Sequence, residues 1–301
     1  MKRRVTHVLD RVWEFYFREY KKLFLIPLML LVFFSASLAY SKITTGEFFQ
    51  KGVSLKGGYS VTIETSYQFD ADLLAKQLTQ AGFFDVDVRT LNDAFTSGIS
   101  GYDITSESEL TAETIKTFFQ NTYDLALDDA HLSFGFQSAT IATTFFRQAS
   151  VALIIAFVLM GAVVFYYFRQ PVSSFSIIFS TLSDIIAVLA TLNLLGIKLS
   201  VASLGALLII IGYSADSDVL LATNILKRKD APLKDRIKRA IKTEIVMDVA
   251  ALSVYAIMFV FSNVQMIREI ALVLLLGIVY DVINTWLGNV VFQRVVEEGR
   301  Q

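Results

Sequence analysis

Residues 203–226 read SLGALLIIIGYSADSDVLLATNIL, an apolar run long enough to cross a bilayer that nevertheless carries two acids, Asp216 and Asp218. A charge in hydrocarbon costs about 2.5 to 3.5 kcal/mol on insertion scales, so carboxylates kept there mark a functional pathway by default. Three other apolar stretches repeat the anomaly with Asp184, Asp248 and Asp281. The run therefore predicts a membrane protein that handles ions or protons.

Composition agrees, with 54% hydrophobic residues, 25 Phe and 18% charged residues. Cysteine is absent and the two histidines, His7 and His131, are far apart, which removes disulfides and a conventional zinc site from consideration. No metal or cofactor is expected. Six stretches approach the length of a span: Leu23 to Ala39, Ala149 to Phe168, Val172 to Leu195, Leu199 to Leu226, Ile245 to Phe261 and Ile270 to Phe292. Lys and Arg number seven in the tail up to Lys22, eight from Lys227 to Lys242 and two after Phe292. By the positive-inside rule these segments face the cytoplasm, as does the Arg169 turn, and the opposite short loops hold only Lys198 and Arg268.

The resulting plan has a cytoplasmic segment over 1–22, a first span over 23–41, an extracytoplasmic domain over 42–147, five spans over 148–293 and a cytoplasmic tail over 294–301. Val5, Val8, Leu9, Val12, Trp13, Tyr16 and Tyr20 recur near helical spacing between basic residues, so the first segment reads as an amphipathic helix lying on membrane lipid at the inner leaflet. The SASLA run after Leu23 to Phe34 mimics a cleavage site, but a 22-residue basic tail is long for a signal peptide.

Between residues 42 and 147 the pattern becomes that of a soluble α+β domain with fourteen acidic and seven basic residues. VSLKGGYSVTIET reads as a strand, DADLLAKQLTQAG as a helix, DVDVRTL and SGISGYDIT as strands, ESELTAETIKTFFQ as a helix and HLSFGFQS as a strand. The order β-α-β-β-α-β predicts a ferredoxin-like split motif. No nucleophile, base and oxyanion set is visible in it, and its acidity disfavours nucleic acid. Lys56-Gly57-Gly58 lacks the GKS/T ending of a phosphate loop; the two glycines instead suit a bend or a close backbone approach near the membrane.

LKGGYSVTIE in the outer domain, IGYSADSDVLL in the fourth span and GIVYDVINTWLGN in the sixth, in that order within a six-span plan, resemble the SecF family of the Sec protein-export machinery in its archaeal form. The resemblance covers nearly the whole chain. It implies a SecDF-type half bundle of the resistance-nodulation-division superfamily that works with SecD to assist a translocating polypeptide through the Sec channel. Bacterial relatives read GYSINDTVV in the fourth span, which sets their Asp on Ser217, whereas the SecD version GMAVDANVLI sets Asp on Asp216 and Asn on Asp218. One position is about 100° of helix rotation, so the departure changes the face. Lys242-Thr243 stands where bacterial relatives have Arg-Thr, keeping charge without the guanidinium fork. Asp184 falls where SecF relatives also have Asp.

Gly205, Gly212, Asp216 and Thr223 share one stripe of the fourth span; Gly277, Asp281, Asn284 and Gly288 share one of the sixth; Ser180, Asp184, Ala187 and Thr191 one of the third. Small residues let helices approach closely. Tyr213 and Ser214 complete the fourth-span motif. Carboxylates gathered in low dielectric are the physical basis of a proton relay, with Asp216 the foremost candidate and Asp184, Asp218, Asp248, Asp281 and Lys242 beside it. The bland alternative is a set of polar residues that fix helix register. Two rival functions stand against export: a half-transporter of the same superfamily moving a small molecule or ion, which would need a partner half, and an intramembrane aspartyl protease, for which Tyr280-Asp281 is present but a GxGD motif is not.

Overall fold

The computed structural model describes residues 2–65, 67–92, 98–262 and 264–299, and the side chains of residues 2–10, 12 and 92 lie outside that description. Helix α1 (Lys2–Leu23) leads into α2 (Leu25–Thr45), the first of six helices long and apolar enough to span a membrane. The others are α6 (Ala139–Phe168), α7 (Pro171–Leu194), α8 (Val201–Ala222, extended by a π-helical turn Thr223–Lys227), α9 (Leu233–Phe261), and α10 (Gln265–Asn284), which continues through a π turn Thr285–Asn289 into α11 (Val290–Glu298). The chain is a multi-pass membrane protein. Its helices outrun the apolar stretches: α6 begins at Ala139, not Ala149, and α9 at Leu233, not Ile245. Helix hydrogen bonding does not stop where hydrocarbon gives way to headgroups, so polar turns extend each span.

Local chemistry sets the boundaries. Pro171 occupies the first turn of α7, where its missing N–H costs nothing. Ser200 and Ser203 form a capping box at the start of α8, and Arg169 turns left-handed (φ 52°) to end α6. Within the bundle α7 is the most enclosed span, at 61% buried over its most apolar window, and α9 the least, at 11%. The inner layer is thus α7, α8 and α10, with α2, α6 and α9 outside it.

The small domain holds β1 (Gly58–Glu64), α4 (Ala71–Gln80), β2 (Asp87–Asn92), β3 (Ile99–Ser106), α5 (Ala112–Tyr123) and β4 (Leu132–Gln137) after a single turn α3 (Val53–Lys56). The sheet order is β2-β3-β1-β4, antiparallel throughout, with Val61 opposite both Ile104 and Phe134. That is the ferredoxin-like arrangement the element order predicts. Asp70 caps α4 by accepting from the Asp72 and Leu73 amides at 2.9 and 3.0 Å. Val61, Ile63 and Ile104 of the sheet pack under Leu74, Leu78, Ile115 and Phe119 of the two helices, all fully buried.

Two expectations need correction. Val53–Lys56 is a helical turn and not the start of a strand, because Gly57 (φ +94°) and Gly58 (φ +140°) break the extended run and Leu55 drops into the bundle's apolar cluster beside Leu199. Helix α1 does not give its aromatic face to lipid: Phe17 and Tyr20 are buried, and Trp13 and Tyr16 pack with them on the bundle end formed by α8, α9 and α11. Tyr16 donates to the Trp286 carbonyl (2.6 Å) and Arg294 to the Phe17 carbonyl (3.0 Å), so polar bonds as well as apolar area hold α1 there. The side chains of Val5, Val8, Leu9 and Val12, which also belong to that expected face, lie outside the described residues.

Candidate functional site

Three inner helices bring their acids together. Asp184 of α7 is fully buried and accepts from Ser214 Oγ of α8 (2.7 Å) and Asn284 Nδ2 of α10 (2.6 Å). Asp218, also fully buried, accepts at Oδ1 from Asn289 Nδ2 (2.7 Å) and Thr285 Oγ1 (2.9 Å). The same Thr285 hydroxyl lies 3.2 Å from Asp281 Oδ1. A hydroxyl has one proton, so it donates to one acid at a time, and the second contact closes only if that acid carries a proton of its own. The network continues from Asn289 to Ser176 (2.7 Å) and Gln293 (2.9 Å).

Helix α9 adds Asp248, which accepts from the Tyr213 hydroxyl (2.9 Å), and Glu244, fully buried one turn earlier. The Thr285 hydroxyl between Asp218 and Asp281 ties the acids of α8 and α10 together, and Asn284, one turn beyond Asp281, ties α10 to Asp184. Among the described residues no Lys, Arg or His makes an ion pair with any of these five acids. One oxygen each of Asp218, Asp248 and Asp281, and both of Glu244, have no hydrogen-bond partner among the described residues. Buried acids without a counter-charge are costly, and the arrangement is chemically suited to binding and releasing protons.

The stripes on α7 and α10 explain how the acids meet. A Cβ on Gly277 would stand 2.5 Å from Ile210 Cδ1, so the missing side chain lets α10 close on α8, whereas one on Gly288 would make ordinary contact with Pro27 of α2 at 3.6 Å. Asn284 and Ser214 supply the donors to Asp184. The α8 stripe behaves differently. Gly205, Gly212 and Asp216 are exposed on the bundle's flank, and no atom lies within 4 Å of where either glycine's Cβ would stand. Asp216 is therefore apart from the acid group, while Asp218, about 200° round the helix, is inside it. Lys242 is exposed as well and joins none of the acids.

Gly57 and Gly58 belong to the joint between domain and bundle. A Cβ on Gly57 would meet Ala139 Cα at 2.5 Å, and one on Gly58 the Ser106 carbonyl at 2.6 Å. Around them the Leu199 amide donates to the Gln50 carbonyl and the Gly52 amide to the Leu199 carbonyl, both at 2.8 Å. Arg89 of β2 pairs with Glu269 of α10, which also accepts from Ser200 Oγ (2.5 Å), and Lys198 pairs with Asp85 (2.9 Å). The sheet is thus fixed to the ends of the spans that carry the acids.

Sequence reasoning missed Glu244, Thr285 and Asn289 as members of the site. Their signal was spacing: Asp281, Thr285 and Asn289 follow at steps of four, as do Glu244 and Asp248, placing each set on one helix face.

A six-span bundle with one ferredoxin-like domain after the first span is a fold that part of a SecDF chain shares. The crystal structure of SecDF from Thermus thermophilus, a translocon-associated membrane protein, matches with a TM-score of 0.65 over 95% of this chain and 38% of that one, at 19% identity. A crystal structure of SecDF in the super-membrane-facing form matches with a TM-score of 0.57. The chain spans well under half the length of those structures. It belongs to the SecD/SecF family: the family described as protein export membrane protein SecD/SecF, C-terminal, matches residues 116–298. Protein-export membrane protein SecF of Thermococcus gammatolerans is 36% identical over 90% of this chain and 84% of its own length. The SecF proteins of Methanocaldococcus jannaschii (33% identical, 90% and 94% covered) and Pyrococcus furiosus (32%, 89% and 88%) agree.

Proposed function

We propose that this chain is a non-enzymatic auxiliary of protein export that acts with a SecD-type second half to move polypeptide through the Sec channel, drawing on a proton gradient. The observation that carries the reading is the group of buried acids on α7, α8, α9 and α10 with no counter-cation among the described residues. A fold needing only register would hold its helices with neutral polar groups at lower cost. Asp184, Asp218, Asp281 and Asp248 take and pass protons inside this half, and protonation changes which hydrogen bonds of Thr285, Asn284 and Ser214 close. The joint at Gly57 and Glu269 transmits the resulting helix shifts to the outer domain, which engages the emerging chain. Both termini and Lys229 are cytoplasmic, and the ferredoxin-like domain is extracytoplasmic.

The flank with Gly205, Gly212 and Asp216 is where the second half docks. An ionised Asp216 facing lipid would cost about 2.5 to 3.5 kcal/mol, which a partner's polar face or enclosed water removes. Two glycines beside it leave the room that a close helix contact needs. The chain has no cysteine, so single introduced pairs report cleanly. Cys at Gly212 should cross-link to Cys on the fourth span of SecD, and Asp184→Asn should slow maturation of secreted proteins while the complex still assembles. Normal export in Asp184→Asn, with the variant present at wild-type level, would reduce that acid to a structural role.

A further inference from the structure

Glu244 stands out from the other acids because neither of its carboxyl oxygens has a hydrogen-bond partner among the described residues although the residue is fully buried. Asp218 and Asp281 each keep one oxygen bonded, and Asp184 keeps both. Asp248 lies one turn further along the same face of α9, and among the described residues no Lys, Arg or His makes an ion pair with Glu244. The indole N–H of Trp286, on the π turn, is a nearby donor that likewise has no partner among the described residues. Glutamine at this position would fill the same space without an acid's desolvation cost. The position therefore calls for a group that can lose and regain a proton.

Helix α1 lies over this end of the bundle: Trp13, Tyr16 and Phe17 pack with Ala240 and Ile241, one turn before Glu244 on α9. The Tyr16 hydroxyl donates to the Trp286 carbonyl at 2.6 Å, Trp13 sits edge-on to Tyr16 with ring centroids 5.9 Å apart, and Phe17 stacks with Trp13. Burial first, and then the negative charge of Glu244, hold the Tyr16 phenol above its ordinary range, with Arg294 of α11 opposing, so Tyr16 remains a hydrogen-bond donor. Helix α1 is broken at Glu19 (φ −103°, ψ 15°), between these aromatics and the first span, which gives the aromatic face a hinge.

We propose that Glu244 is the exchange point through which the buried acids take up or release protons at the end of the bundle that carries both termini, and that the aromatic face of α1 is its removable cover. The inference rests on the reading of those acids as proton carriers and adds their connection to water. The full chain, purified in mild detergent, is treated with a water-soluble carbodiimide and glycine ethyl ester, and modified carboxyls are located by mass spectrometry. Slow amide formation at Glu244 is expected in the wild type and none at that position in Glu244→Gln. Tyr16→Phe keeps the ring and loses one hydrogen bond, which should raise the Glu244 rate about fivefold, the population shift of one net bond, and leave Asp184 unchanged. Equal acceleration at Asp184 and Glu244 would mean general loosening and overturn the cover. Glu244 inert in wild type, Tyr16→Phe and Trp286→Phe alike would overturn the exchange point. Because labelling reads access and not export, a failure here is distinct from normal export in Asp184→Asn.

Discussion

Gly57→Ala should release the outer domain from the bundle, and Gly82→Ala should not. Both glycines have positive φ (+94° and +101°), so an alanine at either pays about 1 to 3 kcal/mol for a backbone region that side chains avoid. Gly82 has open space beside it. At Gly57 the new Cβ would stand 2.5 Å from Ala139 Cα and 2.6 Å from its amide nitrogen, and backbone at the start of α6 cannot rotate aside. Overpacking of that kind adds about 1 to 3 kcal/mol, which amounts to roughly 5- to 150-fold in the population of an opened joint. Leu55, 1% exposed, is the reporter, because α3 carries it into the bundle cluster only while the joint is closed. In a chain bearing Leu55→Cys, maleimide labelling should accelerate by that factor with Gly57→Ala and stay near the parent rate with Gly82→Ala. Equal labelling in the two variants would show that the contact with Ala139 does not hold the domain.

Other consequences can be checked independently. A Cys at Ser108 should label from outside intact cells, and labelling only after permeabilisation would reverse the topology. Thr285→Val removes the hydroxyl that reaches both Asp218 and Asp281; it should cost about 1 to 3 kcal/mol in thermal stability and slow export, whereas unchanged export would place the bridge outside the mechanism. Burial lifts the Asp103 carboxyl above the usual range, with Thr62 opposing. The folded domain then binds that proton more tightly than the unfolded chain, so this group's contribution to stability falls as pH rises from the ordinary carboxylate range through the raised value. Asp103→Asn should flatten that slope in thermal melts of the full chain, and an unaltered slope would refute the assignment.

How much of this was legible can be judged residue by residue. The β-α-β-β-α-β order and the six apolar stretches follow from periodicities of 2 and 3.6, which survive in any environment. The α7 and α10 stripes were legible too, and both turn inward. The α8 stripe was equally legible and turns outward, because a helix in lipid is apolar on every side and the contrast that tells core from solvent is missing. Asp216 and Asp218 sit two positions apart on such a helix, so sequence finds the pair without telling which belongs to the acid group. Glu244 was hidden by its charged neighbours at a span's end, where an acid costs little if exposed. The α1 aromatics pattern identically whether they meet lipid or protein, and what decides is the burial of Phe17 in the bundle together with the Tyr16 and Arg294 hydrogen bonds.

The most direct test joins the gradient to Asp281, the acid that shares the Thr285 hydroxyl with Asp218. Export of a secreted protein is followed in cells carrying wild-type chain or Asp281→Asn, with and without a protonophore. If the buried acids couple the gradient to translocation, the protonophore slows wild-type export to the level of the variant and slows the variant little further. Equal additional slowing in both, or full export in Asp281→Asn, would contradict the account.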